Sequence, residues 1–115
     1  MDVKKNSNEV KDISAKQAKE LIDKEKNVII VDVRTKEKYN EIHIKGANLI
    51  PVQELEQHIH KIPKDKKVIV HCGSGNSSSK ACEILKGKGL KELYHLKGGI
   101  REWQAEGYRV EKHDL

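Results

Sequence analysis

The sequence predicts an α/β domain in which a central, mostly parallel β-sheet carries helices on both faces. Two runs, VIIVDV at Val28 to Val33 and VIVH at Val68 to His71, are β-branched and almost uniformly apolar, as strands buried on both sides of a parallel sheet must be. Segments with apolar residues at helical spacing lie between and around them, and strands that alternate with helices join in parallel. A chain of 115 residues accommodates one such domain. It is expected over residues 10–110, with a flexible segment 1–9 before it and a tail 111–115 after it.

Each element follows from local chemistry. Val10 to Ile13 reads as a short strand. Ser14 followed by Gln17 makes a capping box, and Ala15, Ala18, Leu21 and Ile22 recur on one face, so the first helix runs to about Lys24. After the strand ending in Asp32, Val33 and Arg34, Thr35 caps a short helix through Tyr39. Ala47 to Ile50 is a second short strand. Pro51 opens a helix with Leu55, Ile59 and Ile62 on its inner face, and Pro63 with the charged turn Lys64 to Lys67 stops it. The strand Val68 to His71 ends directly at Cys72. From Ser77 or Ser78 a helix with Ala81, Cys82 and Leu85 inward continues to the Gly87/Gly89 stop. Leu93 to Leu96 is the last strand, and Lys97, Gly98 and Gly99 turn the chain into a short helix around Trp103.

Composition excludes several classes of function. The formal charge of +5 favours anionic partners, yet with one Trp, three Tyr and no Phe the chain lacks stacking platforms for single-stranded nucleic acid. Small anions suit it better. The longest apolar run, Val28 to Val31, is too short to span a bilayer, and MDVKKNSNEV carries charges where a leader needs an apolar core. A cytoplasmic protein with no membrane and no nucleic-acid partner is expected. Cys72 and Cys82 fit neither a disulfide framework nor the paired spacing of a zinc site, so reduced thiols are expected. His58 and His60 belong to no metal-binding pattern, and Gly73, Gly75 and Ser78 lack the third glycine of a dinucleotide fingerprint. Neither a metal nor an organic cofactor is expected.

The chemistry concentrates after the strand that ends at Cys72. Ligands of such folds bind at the carboxyl ends of parallel strands. Gly73 and Gly75 let the backbone curl with its N–H groups inward, and the following helix adds its positive N-terminal end, which together make an anion cradle. Ser74, Asn76, Ser77 and Ser78 add short polar groups around a bound oxyanion. The same donors stabilise a thiolate, so the Cys72 thiol should ionise well below the ordinary value. The competing reading, a buried strand-end cysteine beside an ordinary turn, is disfavoured by the loop's composition. Cys82, in the stripe with Ala81 and Leu85, reads as a structural thiol. Asp32 and Arg34 read as a structural ion pair and Trp103 as core, while Lys80 and Lys97 are candidates for positive potential near the pocket mouth.

The segment VIVHCGSGNSSSKACEIL, with VIIVDVRTKEKYNEIHIKGANLIP before it and LKGGIREWQAEGYRV after it, resembles a single-domain rhodanese from about Ile13 to Val110. The resemblance implies a rhodanese-like fold and a sulfurtransferase. Cys72 would carry a sulfane sulfur as a persulfide, and the loop from Cys72 to Ser77 would cradle it. Asp32, Arg34, His43 and Trp103 fall on positions that help define that domain. The implied donor is a small anion such as thiosulfate. The implied acceptor is cyanide or a cellular thiol, either a small thiol or a thioredoxin-like protein.

Two positions depart from the commoner pattern. Ser77 stands where many rhodaneses have arginine, which leaves the loop without a fixed positive charge; C-x-x-G-N-S-S is nonetheless similar to some stand-alone thiosulfate sulfurtransferases. Ile42 replaces a glycine before His43. A phosphatase of the related fold needs a loop one residue longer that ends in arginine, and Ser78 occupies that position. A non-catalytic binding or persulfide-carrier module is the remaining alternative.

Overall fold

The computed structural model describes residues 10–73, 76–90 and 92–112. In chain order the strands are β1 (Val10–Ile13), β2 (Val28–Asp32), β3 (His43–Ile44), β4 (Asn48–Leu49), β5 (Lys67–His71), β6 (Glu92–Leu96) and β7 (Val110–Glu111). The α-helices are α1 (Ala15–Lys24), α2 (Lys36–Glu41), α3 (Asn76–Leu85) and α4 (Gly99–Ala105). Among the described residues, five strands form one sheet in the order β1-β6-β5-β2-β4, and every pairing in it is parallel. All carboxyl ends therefore open on the same edge.

Strand side chains alternate between two faces, and helices cover both. On one face Val31, Val68, Val70 and Leu93 meet Ala81 and Leu85 of α3, together with Leu55 and Ile62. On the other, Ile30, Ile69, Tyr94 and Leu96 meet Ala15 and Ala18 of α1 and Ile100 and Trp103 of α4. This double coverage is why the central strands contain so few polar residues. Burying each of these Val, Leu or Ile side chains contributes roughly 1.5 to 3 kcal/mol.

Helix ends form as local chemistry dictates. The Ser14 hydroxyl accepts the Gln17 N–H at 3.1 Å while Gln17 Oε1 accepts the Ser14 N–H at 2.9 Å, closing the capping box. Glu102 Oε1 on α4 accepts the Ala15 N–H at 3.0 Å, a tertiary cap that ties α4 to the start of α1. On α2, Thr35 accepts the Lys38 N–H at 3.2 Å.

Three features depart from the sequence expectation. The segment after Pro51 forms two short 3₁₀ helices, Val52–Glu54 and Glu56–Lys61, instead of one α-helix. Its apolar positions Val52, Leu55, Ile59 and Ile62 include two spacings of three, and i→i+3 bonds such as His58 N–H to Leu55 O (3.1 Å) and Ile62 N–H to Ile59 O (2.9 Å) satisfy the backbone while Leu55 and Ile62 stay buried. A two-stranded antiparallel pair, β3 with β7, adds to the expected elements and takes in Glu111, the first residue of the expected tail. Strands this short carry no local signal. Finally, α3 already begins at Asn76. The segments 1–9 and 113–115 lie outside the described residues, among which no helix is long and apolar enough to cross a membrane.

Candidate active site

Cys72 follows directly on β5, at the edge where the parallel strands end. Its carbonyl accepts the Ile100 N–H at 3.0 Å, and His71 Nδ1 lies 3.1 Å from the same oxygen. The first of these bonds holds the start of α4 against the strand end. The contact requires glycine at position 99: its φ is +64°, and a Cβ there would sit 2.4 Å from the carbonyl oxygens of both Cys72 and Gly73.

With Gly73, Cys72, only 3% exposed, lines a cleft of about 490 Å³. The cleft draws its charge from outside the loop. Arg34, Lys38 of α2 and Arg101 of α4 line it, opposed by Glu41, and Ile42 and Ile100 add apolar wall. Thus the positive charge absent at Ser77 is supplied by two neighbouring helices. Lys80 and Lys97, the cations suggested by sequence, are not among the lining residues, and Lys97 borders a separate hollow with Asp12. Helix α3 starts four residues after Cys72, so the positive end of a ten-residue helix lies close by in the chain. The expectations for Ser74, Gly75 and the side chains of Asn76 and Ser77 lie outside the described residues.

Ser78, the last of the loop candidates, is fully buried. Its Oγ lies 3.2 Å from Cys72 Sγ and 2.6 Å from His95 Nε2. Nδ1 of the same histidine lies 3.1 Å from Asp12 Oδ1. Four side chains, from β1, α3, β6 and the residue after β5, thus form one hydrogen-bonded line that reaches the cysteine sulfur. Sequence reasoning missed Asp12 and His95. The one local signal was a polar residue in the apolar run of β6; the partner became visible only through the β1–β6 register, which aligns Asp12 with His95. A buried hydroxyl also occupies the position where a phosphatase would need a guanidinium.

Asp32 and Arg34 form a nearly dry ion pair. Asp32 is fully buried and accepts the Arg34 backbone N–H and Nε–H, each at 3.0 Å, and Nη2–H at 2.7 Å. Arg34 Nη2 also donates to the Ile42 carbonyl at 2.6 Å, which ties the far end of α2 to the end of β2. The pair shapes the cleft wall while Arg34 still faces the cleft. His71 Nε2 lies 3.6 Å from Asp32 Oδ2; burial lowers the His71 pKa despite that carboxylate.

The remaining candidates lie elsewhere. His43 stacks on Tyr39 at 3.9 Å and contacts Glu111 at 3.1 Å, in the β3–β7 region. Trp103 is buried, donates Nε1–H to the Arg109 carbonyl at 2.9 Å and packs edge-on against Tyr108. Cys82 is buried in the core, where burial pushes its thiol up to about 12. Among the described residues, no cluster of three His, Cys, Asp or Glu side chains is arranged to hold a metal ion.

A parallel α/β sheet with a buried cysteine at a strand end, a helix starting just beyond it and a cleft lined by Lys38 and Arg101 beside it defines a class of α/β domain with a single site cysteine. The chain belongs to the rhodanese-like domain family, whose sequence profile matches residues 14–106. It is similar to the thiosulfate sulfurtransferase GlpE of Coxiella burnetii, with 38% identity over 95 residues that cover 83% of this chain and 88% of the relative. Among solved structures it is similar to a rhodanese-related protein of Thermoplasma volcanium, at 33% identity and a TM-score of 0.78, covering 88% of this chain and 97% of the other. A rhodanese-like domain protein of Staphylococcus aureus superposes with a TM-score of 0.79 at 30% identity, covering 90% and 99% of the two chains.

Proposed function

We propose that this protein is a sulfurtransferase that carries a sulfane sulfur on Cys72 between a small anionic donor and a thiol acceptor. The observation that carries the reading is that Cys72, at the end of β5, lines a cleft together with Lys38 and Arg101. The thiolate attacks the outer sulfur of a donor such as thiosulfate. The S–S bond of the donor breaks, sulfite leaves with the bonding pair, and Cys72 becomes a persulfide. Backbone N–H groups of the loop and the two cations hold the anion while charge moves onto the leaving group. In the second half a nucleophile attacks the outer sulfur of the persulfide and the Cys72 thiolate leaves. The acceptor is cyanide in an assay, and a small thiol or a thioredoxin-like protein in the cell. No step calls for a metal or an organic cofactor.

Intact-protein mass spectrometry after treatment with thiosulfate tests this reading. A gain of one sulfur atom on Cys72, removed again by cyanide, is the expected result. A protein that stays unmodified, while remaining folded, would leave it a non-catalytic member of its family and overturn the proposal.

A further inference from the structure

We propose that Ser78, His95 and Asp12 form a proton relay that ionises Cys72 by moving its proton through the Ser78 hydroxyl onto His95. The inference rests on Cys72 being the sulfur-carrying nucleophile, and it adds what that reading lacks, a place for the thiol proton to go. The geometry gives the line a direction. Asp12 Oδ1, at 3.1 Å from His95 Nδ1, selects the tautomer with hydrogen on Nδ1 and leaves Nε2 as an acceptor. Nε2 then accepts the Ser78 hydroxyl at 2.6 Å, and Ser78 Oγ accepts the Cys72 S–H at 3.2 Å. All three bonds point the same way along the line.

In the transfer the Cys72 S–H bond breaks and its electron pair stays on sulfur. The proton bonds to Ser78 Oγ as the original Ser78 proton bonds to His95 Nε2. Serine ends neutral with its hydroxyl donating to the thiolate, and the imidazolium faces the Asp12 carboxylate. No oxidant or reductant takes part. Ser78, which touches the reacting sulfur, is the catalytic member, and His95 and Asp12 are positioning residues that act through it.

Burial grades along the line as such a path requires. Ser78 is fully buried, the His95 side chain is 9% exposed and the Asp12 side chain is 59% exposed, so the inner bonds are shielded while the far end meets solvent. The low dielectric around Ser78 strengthens the hydrogen bonds there. Among the described residues, titratable groups on this face include Asp12 from β1, Cys72 after β5, and Cys82 and Glu83 from α3; the Cys82 thiol stays protonated in the neutral range. Beyond Asp12, Lys97 and Glu102 border the hollow into which it opens.

The test is the pH profile of iodoacetamide alkylation at Cys72, followed site by site by mass spectrometry on the full chain. It reads thiolate directly, whether or not sulfur is transferred. His95→Gln keeps a hydrogen-bonding end but cannot take up the proton. It is expected to slow alkylation about tenfold near neutral pH, equivalent to a shift of about one unit, and to match the wild type in alkaline solution. Asp12→Asn, at an exposed position, should shift the profile in the same direction by less. A folded His95→Gln protein with an unchanged profile would overturn the relay.

A second variant guards against misfolding of the first. Ser78→Ala cuts the line at its middle by removing one oxygen, and it should shift the alkylation profile in the same direction as His95→Gln. A folded Ser78→Ala protein whose profile does not move also overturns the relay. If thiosulfate leaves no persulfide but these shifts appear, the sulfur-transfer reading falls and the relay stands.

Discussion

Gly99 lies so close to Cys72 that a single added carbon would meet the cysteine carbonyl oxygen at 2.4 Å. The same carbonyl accepts the Ile100 N–H, so the close approach that excludes a side chain also allows the bond that holds α4 against the end of β5. Gly99→Ala combines a steric clash with a left-handed φ and is expected to cost about 2 to 4 kcal/mol. Gly107, at φ +80° with open space around its Cβ position, provides the control: Gly107→Ala should cost about 1 kcal/mol. Urea unfolding of the two variants checks the ordering.

Cys72→Ala should abolish thiosulfate:cyanide sulfur transfer. Cys82→Ala should retain most of it, with a stability loss of about 1 kcal/mol for the small cavity left in the core. If Cys82→Ala is the inactive variant while still folded, the roles of the two thiols are reversed.

Arg101 supplies charge to the cleft from α4 and sits at an exposed position, so its contact with a donor anion is partly solvated. Arg101→Ala is expected to raise KM for thiosulfate about fivefold, or about 1 kcal/mol, with little change in kcat, because the contact exists before and during transfer. Ser77→Arg should lower KM, and by more in the Arg101→Ala background than in the wild type. Steady-state kinetics of the four proteins decide whether the two positions share one task; equal effects in both backgrounds would show that they do not.

His71 makes stability depend on pH with a definite sign. Burial lowers its pKa in the folded chain below the unfolded value of about 6.5, so the unfolded chain takes up the proton first as pH falls. Its contribution is complete above about pH 7.5 and is lost progressively as pH falls through 6.5 toward the folded value. His71→Asn, which does not titrate, should therefore show a smaller drop in Tm between about pH 7.5 and 5.5 than the wild type. Thermal melts at matched ionic strength measure it; parallel curves would contradict the assignment.

Much of this was legible in the residue order. Ser14 and Gln17 announced a helix start, the apolar runs around Ile30 and Ile69 announced strands covered on both faces, and Cys72 between a strand and a glycine-rich turn announced the candidate nucleophile. Each signal is local, because capping bonds span three residues and strand burial repeats every two. The segment after Pro51 is not legible in this way, because apolar spacings of three and four serve both kinds of helix, and only packing against the sheet selects the tighter one.

Sequence by itself determined the fold class, the candidate thiol and the structural pairing of Asp32 with Arg34, two residues apart. Tertiary structure alone decided where the cleft's positive charge comes from and what touches the sulfur. Arg101 reaches the cleft because Gly99 lets α4 press against Cys72, and Asp12 meets His95 because β1 lies beside β6 at the edge of the sheet. Those partners are separated by 29 and 83 residues in the chain. No local propensity encodes such a contact; it exists only when the parallel strands are in register and bring their side chains to one face.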